Sequence, residues 1–453
     1  MRVKTSIRKF LFGDLIDKVS FLLKNNEKDI LSLSTEVAIV KSDISGLSTE
    51  VATVKSYISG LSTEVATIKN DLKYINFELL SLPKTDKKKI LLVGFYGAPN
   101  LGDELMLETL LQYLGNKKDI QITVMLADNP DYDIGKFENI DFIHFPKSIF
   151  DINNISGYFD VIIFGGGAII DDSLYDKDHH NYADLGMIFV DLSIKSIHRG
   201  KELYCVALSS NTELRNIAYI KDLNFIITNA KHFSLRDENS FQTLKRAGVD
   251  VKRISLMYDL AIANKDITLI QREYKAPKNL GINLICNQDT VEEVSKILDD
   301  IIKGFSVEKI NIELIPFYQY IDNDFNCYKK LIEKSKYQGI MRIASPPKTM
   351  AELIEIILRQ DLVISMRYHC SLISLITGIP TLTICYDQHR HYYNKIEYLR
   401  TLLGATTINY SDLKNKKFSM SKIYKSIVDI PLAKRGKIVR NTIDSLIELC
   451  NTI

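Results

Sequence analysis

At 453 residues the chain is too long for one compact domain, so two or three folded units are expected. Its 46% hydrophobic and 25% charged residues suit a globular protein, and a net charge of +2 argues against a nucleic-acid binder, which carries a strong basic excess. No run reaches the roughly 18 apolar residues that a membrane-spanning helix requires.

Residues 1–30 open with MRVKTSIRKFLFGDLIDKVSFLLKN, a basic start followed by an apolar part that Asp14, Asp17 and Lys18 interrupt. No small-residue cleavage site follows, which separates it from a signal peptide. It reads as an amphipathic helix feeding the next segment, with weak contact to an anionic membrane surface as the other reading.

Residues 31–82 form the second expected element. Positions 33 to 74 hold three near-copies of a 14-residue unit: LSTEVAIVKSDISG, LSTEVATVKSYISG and LSTEVATIKNDLKY. The apolar positions keep a 4-3 spacing from Leu33 to Leu79 without a slip, which predicts a left-handed coiled coil. With Val37 at an a position, Glu36, Glu50 and Glu64 fall at g, and Lys41, Lys55 and Lys69 fall at e. That is the pairing of a parallel homo-oligomer. Valine and isoleucine at several d positions favour a trimer or larger over a dimer, with an intramolecular hairpin arm as the alternative.

From Lys88 onward, apolar β-rich runs alternate with helical patterns, which predicts parallel sheets in two doubly wound α/β domains, residues 88–265 and 275–453. ILLVGF, ITVML, VIIFGG, LYCVAL and FIITNA are the expected strands of the first. LGINLI, INIELI, DLVISM and TLTIC are those of the second, and ELMLETLLQYL, VEEVSKILDDIIKGF and MAELIEIILRQ are expected helices. The boundary falls in the polar stretch at 263–278. Ligands of such sheets sit outside the carboxyl ends of the strands, so a cleft between the halves is the expected site. Cys205, Cys286, Cys327, Cys370, Cys385 and Cys450 show no metal spacing and read as buried reduced thiols of a cytoplasmic protein.

Four stretches carry candidate chemistry. GAPNLGDE (97–104) follows the first strand; Gly97 and Gly102 permit a tight turn, and Asn100 caps the next helix, whose N–H groups favour an anion. A tight turn with Asp103 and Glu104 complementing the helix dipole explains it equally well. DVIIFGGGAIIDD (160–172) ends a strand on three glycines, suited to close approach by a ligand or by a neighbouring helix. Asp171 and Asp172 are a weak metal option. FSLRDENSFQTLKRAGV (233–249) starts with a short strand and becomes helical, placing Arg236 at the strand end facing the cleft, with an ion pair to Asp237 or Glu238 as the structural alternative. DLVISMRYHCSLISLITGIPTLTICYDQ (361–388) sets Arg367 and His369 at a strand-to-helix junction. Arginine grips carboxylate or phosphate in a fork, and histidine moves protons near neutral pH.

In this order the stretches resemble the polysaccharide pyruvyl transferase family over roughly residues 88–410. The matching residues are Asn100-Leu101-Gly102-Asp103, Gly165-Gly166-Gly167, Arg236-Asp237, Ser365-Met366-Arg367-Tyr368-His369, Gly378-Ile379-Pro380 and Tyr386-Asp387. The resemblance implies two Rossmann-like domains in a GT-B-like arrangement. It implies transfer of the enolpyruvyl unit of phosphoenolpyruvate to two hydroxyls of a glycan acceptor, forming a pyruvate ketal at the cytoplasmic face of the membrane. It requires no metal or cofactor. On this reading His369 and Asp103 are catalytic. Arg236, Arg367, Asn100, Gly102, Gly166, Gly167 and Ser209 bind substrate. The sequence departs from the family at Ser209-Ser210-Asn211-Thr212, where a Gly-Pro turn is usual near the donor, and His179 and His180 lie in a polar insert suited to acceptor recognition or to a solvated loop. A glycosyltransferase using a nucleotide sugar and a non-catalytic glycan-binding scaffold are the alternatives.

Overall fold

The computed structural model describes residues 18, 54–58, 62, 79, 82–83, 85–98, 100–115, 117–127, 140–173, 175, 184–210, 213–271, 277–305, 310–318, 324–386, 390–415, 427 and 430–453. In the unit spanning Met1–Tyr74, residues 54–58 are helical, and Val54 and Ile58, at d and a positions of the repeat, are exposed in the single chain. Residues 18, 62 and 79 are also helical, and the rest of the N-terminal amphipathic helix and of the coiled coil lies outside the described residues, as do His179 and His180. Among the described residues no helix is long and apolar enough to cross a membrane. All six cysteines are buried and none is in a disulfide.

The first domain begins with β1 (Lys88–Val93) and turns through GAPNLGDE into α1 (Leu101–Leu114). It continues through β2 (Ile120–Leu126), β3 (Ile140–His144), α2 (Ile149–Tyr158), β4 (Val161–Gly165), α3 (Leu185–His198) and β5 (Glu202–Leu208). It ends with α4 (Ile217–Asn229), β6 (His232–Leu235), α5 (Glu238–Arg246) and β7 (Ser255–Leu256). Its seven strands are parallel, in the order β3-β2-β1-β4-β5-β6-β7. Such strands are covered on both faces, which is why VIIFG of β4 is apolar and buried throughout.

One expected strand is a helix. FIITNA belongs to α4, where Asn216 accepts the N–H groups of Ala218 and Tyr219 at 3.0 and 3.2 Å. Tyr219, Leu223, Ile226 and Ile227 are buried at helical spacing, so the β-branched run is one face of an amphipathic helix. The strand comes just after it, in the short HFSL.

The second domain contains β8 (Asn279–Asn283), α6 (Val291–Lys303), β9 (Asn311–Leu314), α7 (Asp324–Lys334), β10 (Met341–Ile343), α8 (Met350–Leu358), β11 (Leu362–Ser365) and α9 (Tyr368–Thr377). It continues with β12 (Thr381–Cys385), α10 (Arg390–Leu403), β13 (Thr406–Asn409) and α11 (Tyr410–Lys414). Its six parallel strands run in the order β10-β9-β8-β11-β12-β13. The closing helix, α12 (Leu432–Thr452), returns to the first domain: Lys88 Nζ donates to the carbonyl of Ile453 at 2.8 Å and the Tyr204 hydroxyl to that of Thr452 at 3.2 Å.

One apolar cluster joins the two sheets through α1, residues 260–263, α8, α9 and α12, so the domains share a core layer. Gly378 sits in that layer with φ +96°, and a Cβ there would collide with the carbonyl of Ile270 and with Arg435. Arg435 is fully buried, donating Nε to Ile430 O at 2.9 Å and Nη1 to Ile376 O at 3.2 Å. The Gly-Ile-Pro element therefore closes α9 where the interdomain linker and α12 meet.

Candidate active site

In each sheet the strand order reverses once, between β1 and β4 in the first and between β8 and β11 in the second. Loops at such a switch point diverge and leave a crevice. GAPNLGDE follows β1, the triple glycine ends β4, and SMRYH ends β11, so three of the four motifs stand at a switch point. Arg236 follows β6 in the same sheet as the first two.

Asn100 has extended backbone and caps α1; its Oδ1 accepts the N–H of Gly102 at 3.4 Å and its Nδ2 donates to Asp103 Oδ2 at 2.5 Å. Gly97, at φ +73°, donates its N–H to Glu104 Oε1 at 2.7 Å and closes the loop on itself. The turn also touches the second domain. Leu101 N–H donates to the carbonyl of Phe317 at 3.1 Å, and Asn100 forms a β-bridge with Tyr318. Gly102 is glycine for a steric reason: a Cβ there would overlap the imidazole of His369.

The triple glycine has a similar cause. Gly166 (φ +74°) and Gly167 (φ +87°) hold left-handed backbone, and a Cβ on Gly166 would come to 2.5 Å from Met106 Sδ of α1. The loop is fastened from below: Gly166 N–H donates to Val206 O at 2.8 Å, and Ser209 donates its N–H at 2.9 Å and its hydroxyl at 3.4 Å to Gly167 O. Ser209 is buried by this role and does not line the cavity described below, so the residue singled out as a substrate ligand serves as a loop fastener.

Arg236 pairs with neither Asp237 nor Glu238. Its Nη1 donates to Asp259 Oδ2 at 2.8 Å, with Arg236 4% and Asp259 0% exposed. Asp259 also accepts the Tyr368 hydroxyl at 3.3 Å and the Ala261 N–H at 3.0 Å. His369 Nε2 stands 3.6 Å from the same Oδ2, an electrostatic approach longer than a hydrogen bond. The guanidinium of Arg236 lies 4.9 Å above the Tyr368 ring. Burial alone would neutralise Asp259, yet His369 and Arg236 hold it well below the ordinary carboxylate range. Burial likewise opposes the Arg236 cation, and Asp259 overrides it. Asp259 is thus an anionic hub that ties β6 of the first domain to α9 of the second. No motif marked it; its only sequence signal is a carboxylate inside the apolar run MYDLAIA.

Arg367 is engaged differently. Its Nε and Nη2 grip Asp324 at 3.0 and 2.5 Å, and Asp324 Oδ2 accepts the N–H groups of Phe317 and Tyr318 at 2.8 and 2.9 Å. The segment that meets the GAPNLGDE turn is therefore set by Arg367 through Asp324. Asp103, 8% exposed, has its carboxyl pushed up by burial, against the pull of His369, Lys395 and Arg236. Lys395 of α10, also unmarked in the sequence, retains some exposed area but has its ammonium desolvated. Burial and Arg236 push it down to about 8.

These side chains converge on a cavity of about 420 Å³ whose walls include Asn100, Asp103, Gly167, Arg236, Arg367 and His369. Lys395 completes its basic side, and the N-termini of α1, α3 and α9 all reach its wall. Asn100 and Asp184 cap α1 and α3, whereas α9 begins without a side-chain cap. Asp103, Asp171 and Asp184 share this wall with Arg236, Arg367 and Lys395, and the uncapped N-terminus of α9 adds N–H donors to the cationic side, where an anion is favoured. Asp171 and Asp172 fasten loops: Asp171 accepts Ser173 N–H at 2.9 Å, and Asp172 accepts those of Arg215 and Asn216 at 2.5 and 2.6 Å. Among the described residues no acidic, histidine and cysteine cluster could hold a metal ion.

The family model for polysaccharide pyruvyl transferase matches residues 100–388. No curated protein matches in sequence. Similar solved structures include a putative UDP-N-acetylglucosamine 2-epimerase from Listeria monocytogenes, at 13% identity and TM-score 0.48, covering 80% of this chain and 97% of that one. UDP-GlcNAc 2-epimerase from Neisseria meningitidis aligns at 10% identity and TM-score 0.45, over 81% and 100%. HepE from Anabaena, in complex with UDP and glucose, aligns at 10% and 0.49, over 81% and 97%.

Proposed function

The chain belongs to the polysaccharide pyruvyl transferase family, and on that premise we propose that it moves the enolpyruvyl unit of phosphoenolpyruvate onto two hydroxyls of a sugar in a polysaccharide or its precursor. The observation that carries the reading is the convergence of Arg236, Arg367, Lys395, His369 and Asp103 on one cavity. Phosphoenolpyruvate bears a carboxylate and a phosphate on the same carbon, and a cavity that sets Arg236, Arg367 and Lys395 beside helix N-termini suits both groups.

In the proposed reaction a proton adds to the methylene carbon, and C2, now oxocarbenium-like, takes the oxygen of one sugar hydroxyl. The second hydroxyl oxygen then bonds to C2 as the C2–O bond to phosphate breaks. One hydroxyl proton is balanced by the methyl group formed and the other leaves on inorganic phosphate. In this reading His369, which lies between Gly102 and Asp259, delivers the proton or contacts the phosphate, with Asp259 as its positioning partner. In the same reading Asp103, whose carboxyl burial makes more basic, accepts a hydroxyl proton. Arg236 lines the cavity with one guanidinium hydrogen bond among the described residues, and Arg367 lines it with two of its donors already on Asp324.

The test is release of inorganic phosphate from phosphoenolpyruvate on addition of β-linked galactose or mannosamine acceptors. Turnover of a nucleotide sugar together with silence toward phosphoenolpyruvate would assign the cavity to glycosyl transfer. Arg236→Ala should abolish phosphate release if the reading is right, and retained turnover would remove that residue from the site.

A further inference from the structure

Arg236 and α10 also border a second cavity, of about 880 Å³, roughly twice the volume of the first and within the range of about 300–1,000 Å³ usual for small-molecule sites. α10 supplies Lys395 to the first cavity and Tyr398, Thr401 and Leu402 to the second, so the two lie about one helical turn, roughly 5 Å, apart along that helix. The opposite wall is α12. Its Asn441, Asp444 and Ser445 are spaced i, i+3 and i+4 and share a helix face. Among the described residues these three side chains make no hydrogen bond, and the hydroxyl of Tyr398 is buried without a partner. Leu256, Met257 and Tyr258 add an apolar side.

The wall chemistry selects the ligand class. Asp237, Glu238, Glu397 and Asp444 outnumber the cations Arg236 and Lys434, which disfavours a second phosphate-bearing ligand. Carboxylates, an amide and hydroxyls accept and donate to neutral hydroxyl groups, and tyrosine and leucine faces cover C–H surface. A saccharide presents both: a rim of hydroxyls and apolar ring faces.

We propose that this second cavity holds the stretch of acceptor glycan beyond the sugar that reacts, and so sets a preference for a polymer over a free sugar. The proposal rests on the pyruvyl-transfer reading for the identity of the reacting end. Glycan binding is measured without any donor, which separates the two.

Calorimetric titration with two series tests it: β-linked galactose and β-linked N-acetylmannosamine, each as the methyl monosaccharide and the tetrasaccharide. In one series the tetrasaccharide should bind about tenfold tighter than the monosaccharide, equivalent to about 1.4 kcal/mol. Ser445→Trp, which fills the cavity from an exposed helix face, should remove that advantage and leave monosaccharide binding unchanged. The milder pair Asn441→Ala and Asp444→Ala should reduce it. Equal affinity at both lengths in both series, or an advantage that survives in all variants, overturns the proposal. A length advantage without phosphate release from phosphoenolpyruvate keeps the glycan cavity and removes the donor assignment. Phosphate release at equal KM for monosaccharide and tetrasaccharide does the reverse.

Discussion

Replacing Gly102 with alanine probes the site through a single methyl group. The added Cβ would lie far inside 3.0 Å of His369 Nδ1, so the imidazole must retreat by about 1 Å or more. The surroundings resist that movement, because Asp259 lies beyond the ring and Tyr368 packs against it at 4.9 Å between centroids. A misplacement of about 1 Å in a reacting group costs on the order of 100-fold in rate. Stability moves less: overpacking costs about 1–3 kcal/mol, and alanine returns up to about 1 kcal/mol of helix propensity in α1. Gly102→Ala should therefore fold, with a midpoint in urea close to that of the native protein, and release phosphate from phosphoenolpyruvate about 100-fold more slowly. A folded Gly102→Ala with native kcat would show that the position of His369 does not govern turnover.

Asp259→Asn keeps the shape of the hub and leaves Arg236 buried without its counter-charge, a loss of about 3–5 kcal/mol that urea denaturation measures. Because the carboxyl of Asp259 is held below its ordinary range, the native protein has this stability in full above about pH 4 and loses it as the pH falls further; a shift under 1 kcal/mol would deny the hub its structural weight. Glu104 behaves in the opposite sense. Burial pushes its carboxyl up to about 8, and one of its oxygens has no partner, so its contribution is full below about pH 4.5 and is lost as the pH rises towards 8. Glu104→Gln should gain stability relative to the native protein between pH 5 and 8, and parallel stability curves for the two proteins would contradict this. Deleting residues 1–80, which removes the heptad repeat, should leave a folded head of smaller assembly size in sedimentation; an unchanged size would place the oligomer contacts elsewhere.

Much of the fold was legible because parallel strands buried on both faces must be apolar along their length. ILLVGF, VIIFGG, DLVISM and TLTIC announce themselves in that way, and the helices between them show the helical period. FIITNA misled because a β-branched run is compatible with a strand and with one face of a capped helix. Only the partner surface, and Asn216 at the start of α4, decides between them. The short strand MRI lacks the length that makes a pattern readable, whereas FSL, equally short, is read as a strand ending at Arg236.

The order of chemistry-bearing residues along the chain was likewise a property of the sequence alone. Asn100, Asp103, Arg236, Arg367 and His369 follow β-rich runs, and strand ends are where α/β folds place ligands. What the sequence could not contain was which partner each residue meets. Arg236 takes Asp259, 23 positions away, instead of its acidic neighbours, and Arg367 takes Asp324, 43 positions away, through the same burial that makes an unpaired cation costly. Lys395 and Asp259 enter the site for the same reason, with no motif around them. Local sequence determines where the backbone turns and which side chains stand at those turns. Charge pairing in a buried interdomain space depends on distances across the fold, and those exist only once both sheets and the closing helix are in place.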